Sequence, residues 1–271
     1  MKLIVSDMDG TLVPDGSPVI DPACIDIMKR VRDRGHIFVV ASGRQYHSIE
    51  NVLSEVARTG DFYAIAEGGA LIFKNGTLLS KEVIAPKLVD EMLLDIRRLK
   101  EKGCDVMVSS VSQAYCPHKD SELYRWMTGS YRYEIEATGG FDRLPREDVL
   151  KISIYHPFDC EGVCREWFYQ KWHDRMMLCS AGDWWVDCTL PSSTKGASLV
   201  KLQKLLGIDR EDTICFGDNI NDIPMFEAAG ISCAVGNARD LTKQAADRVI
   251  GSYKELGVLK ELERMMAAGE L

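Results

Sequence analysis

The sequence lacks an excess of positive charge. Its 271 residues include 33 Lys and Arg against 41 Asp and Glu, which gives a formal net charge of −8. Proteins that bind nucleic acid or anionic membrane surfaces neutralise phosphates with clustered basic side chains. We therefore expect no nucleic-acid partner and no attachment to a membrane surface.

Long hydrophobic runs are absent as well. The longest runs, such as Ile37 to Ala41, cover only a few residues, whereas a membrane-spanning helix needs about 20. The residues before Asp7 lack the apolar stretch of a secretory signal. Together these features predict a cytoplasmic location.

The nine cysteines have no paired CxxC spacing, and their number is odd. This usage is typical of reduced cytosolic thiols rather than of a disulfide framework. Cys160 and Cys164 share a predicted helix face, which a metal site would require. Trp167 and Phe168 continue the same face, so packing in a core is favoured over metal binding.

Apolar segments at both ends of the chain alternate between strand and helix patterns. Strands are predicted at residues 3–5, 37–41 and 62–66, and again at 213–216 and 233–235, with amphipathic helices between them. Such alternation implies right-handed crossovers. We therefore predict an α/β fold with a doubly wound, Rossmann-like parallel sheet.

The middle of the chain differs from its ends and holds all five tryptophans. Its apolar segments mix helix and strand patterns without regular alternation. We predict an inserted α+β domain at residues 82–190, within an α/β core formed by residues 1–81 and 191–271.

Two acidic residues stand at the carboxyl end of the first predicted strand. Asp7 and Asp9 belong to the segment DMDGT, residues 7–11, and open parallel sheets bind ligands at the carboxyl ends of their strands. Two carboxylates this close in the chain need a cation or a proton. The alternative is a solvated turn, because Asp, Gly and Thr are common turn residues.

A second acidic segment, GDNIND at residues 217–222, follows another predicted strand. Capping of the next helix accounts for Asn221 and Asp222 but leaves Asp218 unexplained. Asp7, Asp9 and Asp218 offer hard oxygen ligands without His or Cys, a set that favours Mg²⁺.

Two further segments suit an anion. Ser42, Gly43 and Arg44 follow the second strand, where a hydroxyl and successive N–H groups can bind phosphate. Lys195 precedes a Leu-rich helix and can bring a positive charge to the same anion. Each segment alone is weak evidence, since a surface lysine is ordinary.

Taken together and in this order, the four segments resemble those of haloacid dehalogenase superfamily phosphatases, in the Cof-like branch with a type IIB cap. The resemblance covers the whole chain. It implies a Mg²⁺-dependent phosphomonoester hydrolase that acts on a small phosphorylated metabolite, such as a sugar phosphate, through an aspartyl-phosphate.

The resemblance also implies a role for each matching residue. Asp7 is the implied nucleophile, and Asp9 is the implied general acid and then base. The implied Mg²⁺ ligands are the carboxylates of Asp7 and Asp218 and the backbone carbonyl of Asp9. The implied phosphate-binding groups are Met8 N–H, Ser42, Gly43 N–H, Lys195 and Asn221. Lys195 is also an implied catalytic residue. Thr11 and Asp222 are implied as supporting residues, with Asp222 orienting Lys195 or metal-bound water.

One segment departs from the family pattern. Residues 67–70 read Glu-Gly-Gly-Ala, whereas many Cof-like relatives have Asn in place of Gly68. A polar contact near the cap junction is therefore expected to be missing. Asp9, in contrast, argues against dehalogenase and phosphonatase chemistry, since those relatives lack an acid at that position.

In this family the cap meets the part of the substrate that leaves, so its tryptophans are candidates to line a pocket for a cyclic group. For Trp167 and Trp172 we favour packing in the cap core. Trp184 and Trp185 are adjacent on a predicted strand, so only one of them can be core. For three further candidate substrate contacts, solvated surface is favoured: His118, Arg125 and Arg132.

The same motifs are compatible with other functions. A phosphomutase of the same superfamily uses the same nucleophile and a similar cap. A phospho-acceptor signalling module also combines Asp, Lys and Mg²⁺, although it lacks an inserted cap. A non-catalytic sugar-phosphate sensor is disfavoured because Asp9 is retained.

Overall fold

The contacts within the chain divide it into two units. A computed structural model describes residues 1–129, 133–180 and 183–271. The first unit, the core unit, comprises Met1–Ser80 and Thr194–Leu271, and the second, the cap unit, comprises Lys81–Ser193. In the described part of the chain, no helix has the length and apolar character needed to cross a membrane.

The core unit alternates strands with helices, as its apolar pattern predicts. Its strands are β1 (Leu3–Asp7), β2 (Ile37–Ala41), β3 (Tyr63–Ala66), β4 (Leu71–Lys74), β5 (Thr77–Lys81, ending on the first residue of the cap unit), β12 (Thr213–Gly217), β13 (Ile231–Ala234) and β14 (Arg248–Val249). Its helices are α1 (Pro22–Asp33), α2 (Tyr46–Val52), α3 (Ser54–Arg58), α8 (Lys195–Leu206), α9 (Ile223–Glu227), α10 (Asp240–Ala245) and α11 (Gly257–Ala267).

The strands of the core unit form one sheet in the order β14-β13-β12-β1-β2-β3-β4-β5. Strands β14 to β3 in this order pair in parallel, and β4 pairs antiparallel with β3. Helix α1 contacts α3 and α11, whereas α8 contacts α9. This arrangement confirms the predicted doubly wound α/β fold.

Helix α1 shows how the local sequence sets an element. Asp21 precedes it, and its Oδ1 accepts a hydrogen bond from the N–H of Ala23 at 2.8 Å. Pro22 occupies the first helical position, where its fixed φ is favourable and no N–H is needed. The apolar residues that follow at helical spacing are buried against the sheet: Cys24, Ile27, Met28 and Val31.

The cap unit is an α+β insertion. Its strands are β6 (Asp105–Ser110), β7 (Ala114–Cys116), β8 (Ile135–Ala137), β9 (Val149–Tyr155), β10 (Met177–Ser180) and β11 (Trp185–Thr189). Its helices are α4 (Pro86–Lys100), α5 (Glu122–Gly129), α6 (Cys160–Arg165) and α7 (Phe168–Trp172). The strands form a sheet in the order β10-β11-β9-β6-β7-β8, with β7 and β8 parallel and the other described pairs antiparallel.

The core of the cap unit holds the residues for which packing was favoured. Trp172 and Phe168 are buried there together with Cys160 and Cys164. The indole N–H of Trp172 donates to Asp95 at 3.0 Å, which satisfies its polar atom. Neither cysteine belongs to a cluster of metal-ligating side chains in the described ranges.

Two predicted helices are each divided in two. The spacing of the apolar residues from Ile49 to Val56 predicts one helix, but Leu53, with φ −104° and ψ 22°, separates α2 from α3. The apolar spacing over residues 159–173 also predicts one helix, but Trp167 interrupts it with a φ of −149°, which is not helical. Apolar spacing alone could not show these breaks, because it continues across both of them.

Candidate active site

The predicted site residues follow three neighbouring strands of the core sheet. In the parallel register Asp7 of β1 lies beside Ala41 of β2, and Ser6 lies beside Phe216 of β12. The segments after these strands, which include Ser42 and Asp218, therefore begin at the same edge of the sheet. This is the edge at which open parallel sheets bind ligands.

Lys195 joins two of the predicted carboxylates. Its Nζ lies 2.5 Å from Oδ1 of Asp7 and 2.6 Å from Oδ1 of Asp222, and all three side chains are buried. Lys195 begins α8, where the hydroxyl of Thr194 accepts from the N–H of Ala197 at 3.0 Å. The helix start thus fixes the lysine between acids that lie far away in the chain.

The protonation of the site follows from burial and from these charges. Burial raises the pKa of the Asp7 carboxyl well above its ordinary value, and Lys195 opposes that rise. Burial, followed by the charge of Asp222, raises the pKa of Asp218 to about 6. Burial lowers the pKa of Lys195, but Asp222 and Asp7 outweigh it and the net shift is upward. The lysine is therefore charged, and one positive charge does not balance the acids around it.

The acidic group has the composition of a hard-cation site. Carboxylate oxygens of Asp7, Asp218 and Asp222 all lie within 4.8 Å of one another. Oδ2 of Asp7 is buried without a hydrogen-bond partner in the described part of the chain. Buried polar atoms are normally paired, so this oxygen is suited to a further ligand. An all-oxygen set fits Mg²⁺.

Thr11 and Gly10 place Asp218. The hydroxyl of Thr11 donates to Oδ1 of Asp218 at 3.1 Å. A Cβ atom at Gly10 would lie 2.5 Å from Oδ2 of the same carboxylate, and Gly10 has φ +78°. Glycine is therefore needed at this position both for its backbone conformation and for the close approach.

Asp222 is held inside the protein by several donors. Its Oδ2 accepts from the N–H groups of Asp218 and Asn219, each at 3.0 Å, while its Oδ1 accepts from Lys195. Asp222 occupies the N-cap position of α9, as one of the two residues considered for that position, but capping does not explain its side chain. Asn219 caps the short 3₁₀ turn at Ile220–Asp222, and the side chain of Asp222 makes no capping bond to α9.

Asp9 contacts Arg44, for whose side chain the sequence predicts no role. Arg44 donates from Nε to Oδ2 of Asp9 at 2.8 Å and from Nη2 to Oδ1 at 2.5 Å. Gly16 N–H donates to Oδ1 at 3.0 Å. The signal available in the sequence was an arginine beside the predicted anion-binding Ser42, but nothing in the spacing joins it to Asp9.

The other residues predicted to bind phosphate, besides Lys195, also lie in the described part of the chain: Met8, Ser42, Gly43 and Asn221. The buried hydroxyl of Ser42 accepts from the N–H of Arg44 at 3.1 Å, whereas Gly43 is exposed. Met8 has a buried side chain and follows β1 directly. Asn221 is exposed on the turn before α9. Their roles toward a phosphate stay predictions.

Gly68 adopts a backbone conformation that suits both glycine and the asparagine of the family pattern. It has φ +70° and ψ 11°, and a Cβ atom there would meet no atom within 4 Å. Asn is the side-chain-bearing residue that best tolerates this region. An asparagine could therefore adopt the backbone conformation of Gly68, and with glycine this chain lacks the amide side chain.

The cap tryptophans separate as strand geometry requires. Trp185 is 8% exposed and Trp184 is 47% exposed. Trp126 contacts both rings, with centroid distances of 5.5 Å to Trp185 and 5.6 Å to Trp184.

His118 and Arg125, two other candidate substrate contacts in the cap unit, have different surroundings. His118 lines a pocket of about 250 Å³, and Arg125 donates to the carbonyl of Asp120 at 2.7 Å. Arg132 lies outside the described residues.

Known proteins resemble this chain along nearly its whole length. Residues 4–262 match the description of haloacid dehalogenase-like hydrolases. The 5-amino-6-(5-phospho-D-ribitylamino)uracil phosphatase YbjI of Escherichia coli is 28% identical over 269 residues, which is 98% of this chain and 96% of that protein.

Solved structures share the fold over the whole chain. A crystal structure from Eubacterium rectale has a TM-score of 0.89 and 33% identity, covering 98% of this chain and 99% of that one. The subclass IIB sugar phosphatase BT4131 of the same superfamily has a TM-score of 0.83 and 24% identity over the full length of both chains. At that identity the second likeness shows the fold alone.

Proposed function

Because the chain belongs to the haloacid dehalogenase-like hydrolases, we propose that it is a Mg²⁺-dependent phosphatase that hydrolyses a small phosphorylated metabolite through an aspartyl-phosphate. The observation that carries this proposal is the buried Asp7 carboxylate at the end of β1. Lys195 holds one of its oxygens, and the other has no hydrogen-bond partner among the described residues. A carboxylate fixed in this way is oriented to act as a nucleophile.

In the first step Asp7 attacks phosphorus. A bond forms between a carboxylate oxygen of Asp7 and phosphorus, and the bond from phosphorus to the leaving oxygen breaks. Asp9 gives its proton to that oxygen, so an alcohol leaves. In the second step water attacks phosphorus, the bond to Asp7 breaks, and Asp9 takes the proton of the water.

Groups at the strand ends bind the phosphoryl oxygens. Ser42 and the N–H groups of Gly43 and Met8 supply donors, and Asn221 supplies its side-chain amide. Lys195 adds a charged donor near Asp7. Donors fixed before the reaction stabilise the charge that develops on these oxygens in the transition state.

Mg²⁺ would be held by the carboxylates of Asp7 and Asp218 and by the backbone carbonyl of Asp9. Bound there, it would offset carboxylate charge and so allow an anionic phosphate to approach Asp7. Asp222 supports this set rather than joining it, because Lys195 and two backbone N–H groups already occupy its oxygens. Thr11 keeps Asp218 in place.

The substrate is proposed to be a small phosphomonoester, such as a sugar phosphate. The name of YbjI describes a phosphatase of a small phosphorylated compound, which supports this class. The lack of nucleic-acid and membrane-surface partners stays a prediction that rests on the charge of −8. The cytoplasmic location stays a prediction that rests on the cysteine usage and the short hydrophobic runs.

A screen of phosphomonoesters with Mg²⁺, reading released phosphate, tests the proposal. We expect turnover that EDTA abolishes and added Mg²⁺ restores. The variant Asp7→Asn removes the nucleophile, so turnover should fall by at least about 10³-fold. Asp26→Asn, an exposed change on α1, should leave turnover unaltered.

Three results would contradict the proposal. Undiminished hydrolysis by Asp7→Asn would exclude the aspartyl-phosphate mechanism. An isomerised sugar phosphate without net phosphate release would identify a phosphomutase instead, and a stable phosphorylated Asp7 would identify a phospho-acceptor.

A further inference from the structure

The contact between Arg44 and Asp9 is a two-point contact between two planar groups. Nε and Nη2 of the guanidinium each donate to a different oxygen of the carboxylate, at 2.8 and 2.5 Å. The side chain of Arg44 is 3% exposed and that of Asp9 is 21% exposed. Such a fork fixes the orientation of the carboxylate as well as attracting its charge.

Arg44 is itself fixed by three backbone or side-chain contacts. Its Nη2 also donates to the carbonyl of Ser17 at 2.9 Å, and its N–H donates to the hydroxyl of Ser42 at 3.1 Å. Its carbonyl accepts from the N–H of Glu67 at 3.0 Å. Arg44 therefore ties the loop after β1 to the segments after β2 and β3.

The two oxygens of Asp9 are held unequally. Oδ1 accepts from both Gly16 N–H and Nη2 of Arg44, whereas the donor that Oδ2 has in the described part of the chain is Nε of Arg44. Oδ2 can exchange that single donor for another group while Oδ1 keeps both of its own. The carboxylate then stays in place during the exchange.

We propose that Arg44 is a positioning residue for Asp9, holding Oδ1 so that Oδ2 can turn to the oxygen of the leaving group. This inference rests on the proposed function, in which Asp9 protonates that oxygen. The bond from Asp7 to phosphorus forms, the bond to the leaving oxygen breaks, and the proton passes from Asp9. Arg44 neither gains nor loses a proton in this step.

The dependence of rate on the leaving group tests the inference. An alcohol needs a proton to leave, whereas p-nitrophenolate leaves readily without one, so only the alkyl ester relies on a well-placed acid. We would measure kcat/KM for the alkyl phosphate that the screen ranks highest and for p-nitrophenyl phosphate, in the wild type and in Arg44→Met.

We expect Arg44→Met to lower kcat/KM for the alkyl ester by about 100-fold, at the lower end of what a general acid contributes. The value for p-nitrophenyl phosphate should change by less than about fivefold, because that leaving group needs little help. Arg44→Lys should resemble Arg44→Met, since an ammonium is a point charge without the planar fork that fixes the orientation of the Asp9 carboxylate. Added guanidinium ion should restore part of the alkyl-ester activity of Arg44→Met.

Two controls separate positioning from folding. Arg30→Met, which removes an arginine that pairs with Glu263 on the surface, should leave both esters unaffected. In an Asp9→Asn background the Arg44→Met change should cost nothing further on the alkyl ester, because the two residues act as one unit. Arg44→Gln, which keeps a polar side chain, replaces Arg44→Met if the latter does not fold by circular dichroism.

Equal losses for the two esters would overturn the inference, because they would show that Arg44 acts on folding or on phosphate binding. Full activity of Arg44→Lys would overturn it as well, since a point charge would then suffice. A wild type that releases phosphate from neither ester would instead contradict the proposed function.

Discussion

Asp218 lies directly against the backbone of Gly10. A single substitution at Gly10 can therefore test whether this close approach matters for the cation site. Gly10→Ala should destabilise the protein, because a positive φ costs a side-chain-bearing residue about 1–2 kcal/mol. It should also displace Asp218, since the new Cβ would lie 2.5 Å from Oδ2. We expect weaker Mg²⁺ binding by calorimetry and reduced turnover.

Gly35→Ala is the matched control for this prediction. Gly35 has φ +81°, but a Cβ atom there would meet nothing within 4 Å. The variant should therefore lose similar stability in urea and keep Mg²⁺ binding and turnover. If Gly10→Ala and Gly35→Ala behaved alike in Mg²⁺ binding, the close approach of Asp218 would have no role.

The meeting of Asp7, Lys195 and Asp222 could be predicted from the sequence and its family resemblance, which includes Lys195 among the two implied partners of Asp222, although the distances could not. Each residue lies next to a recognisable strand or helix start, and parallel strands bring such ends together. The pairing of Arg44 with Asp9 could not be predicted. This pairing depends on the course of the loop after β1. Hydrogen bonds from the N–H groups of Leu12 and Val13 to the carbonyl of Met8 determine that course.

Single helices can be tested through their caps. Asp21→Ala removes the side-chain acceptor for the N–H of Ala23 at the start of α1. Loss of an Asp N-cap costs about 1 kcal/mol, so the free energy of unfolding should fall by about that amount. Urea denaturation followed by circular dichroism measures the change.

Asp26→Ala lies on the same helix at an exposed position and provides the comparison. It should change the free energy of unfolding by less than about 0.5 kcal/mol. A loss as large as that of Asp21→Ala would mean that negative charge on α1, rather than its cap, stabilises the helix.

Elements with long apolar repeats were predicted well, and short ones were not. The apolar pattern predicts a strand over Asp105–Ser110 and a Leu-rich helix that ends at Gly207, and these agree with β6 and with the end of α8. Strands β7, β8 and β14 span three residues or fewer, so no period can be read from them. Their existence depends on a neighbouring strand rather than on their own residues.

The stability of the molecule as a whole should depend on pH through His36. Its Nδ1 accepts from the N–H of Lys2 at 3.0 Å. Burial, with the charges of the amino terminus, Lys2 and Arg34, lowers the pKa of His36. The unfolded chain therefore binds this proton at higher pH than the folded chain, and stability falls as pH drops below about 6.5.

The comparison of wild type with His36→Asn isolates this effect, because asparagine offers an acceptor that does not titrate. Urea midpoints at pH 7.5 and at pH 5 should differ less in the variant than in the wild type. An equal difference in both proteins would assign the pH dependence to other groups.

The central strand of the core sheet has consequences for how the protein is made. β1 pairs with β12, whose residues Thr213–Gly217 lie beyond the whole cap unit in the chain. During synthesis β1 is made before β12, so this strand pair cannot form until β12 has been made. The cap unit, in contrast, has all of its residues in one continuous segment. Asp7 and Asp218 can therefore come together only after the whole cap unit has been made, so a ribosome-bound chain that ends within the cap unit has no complete cation site.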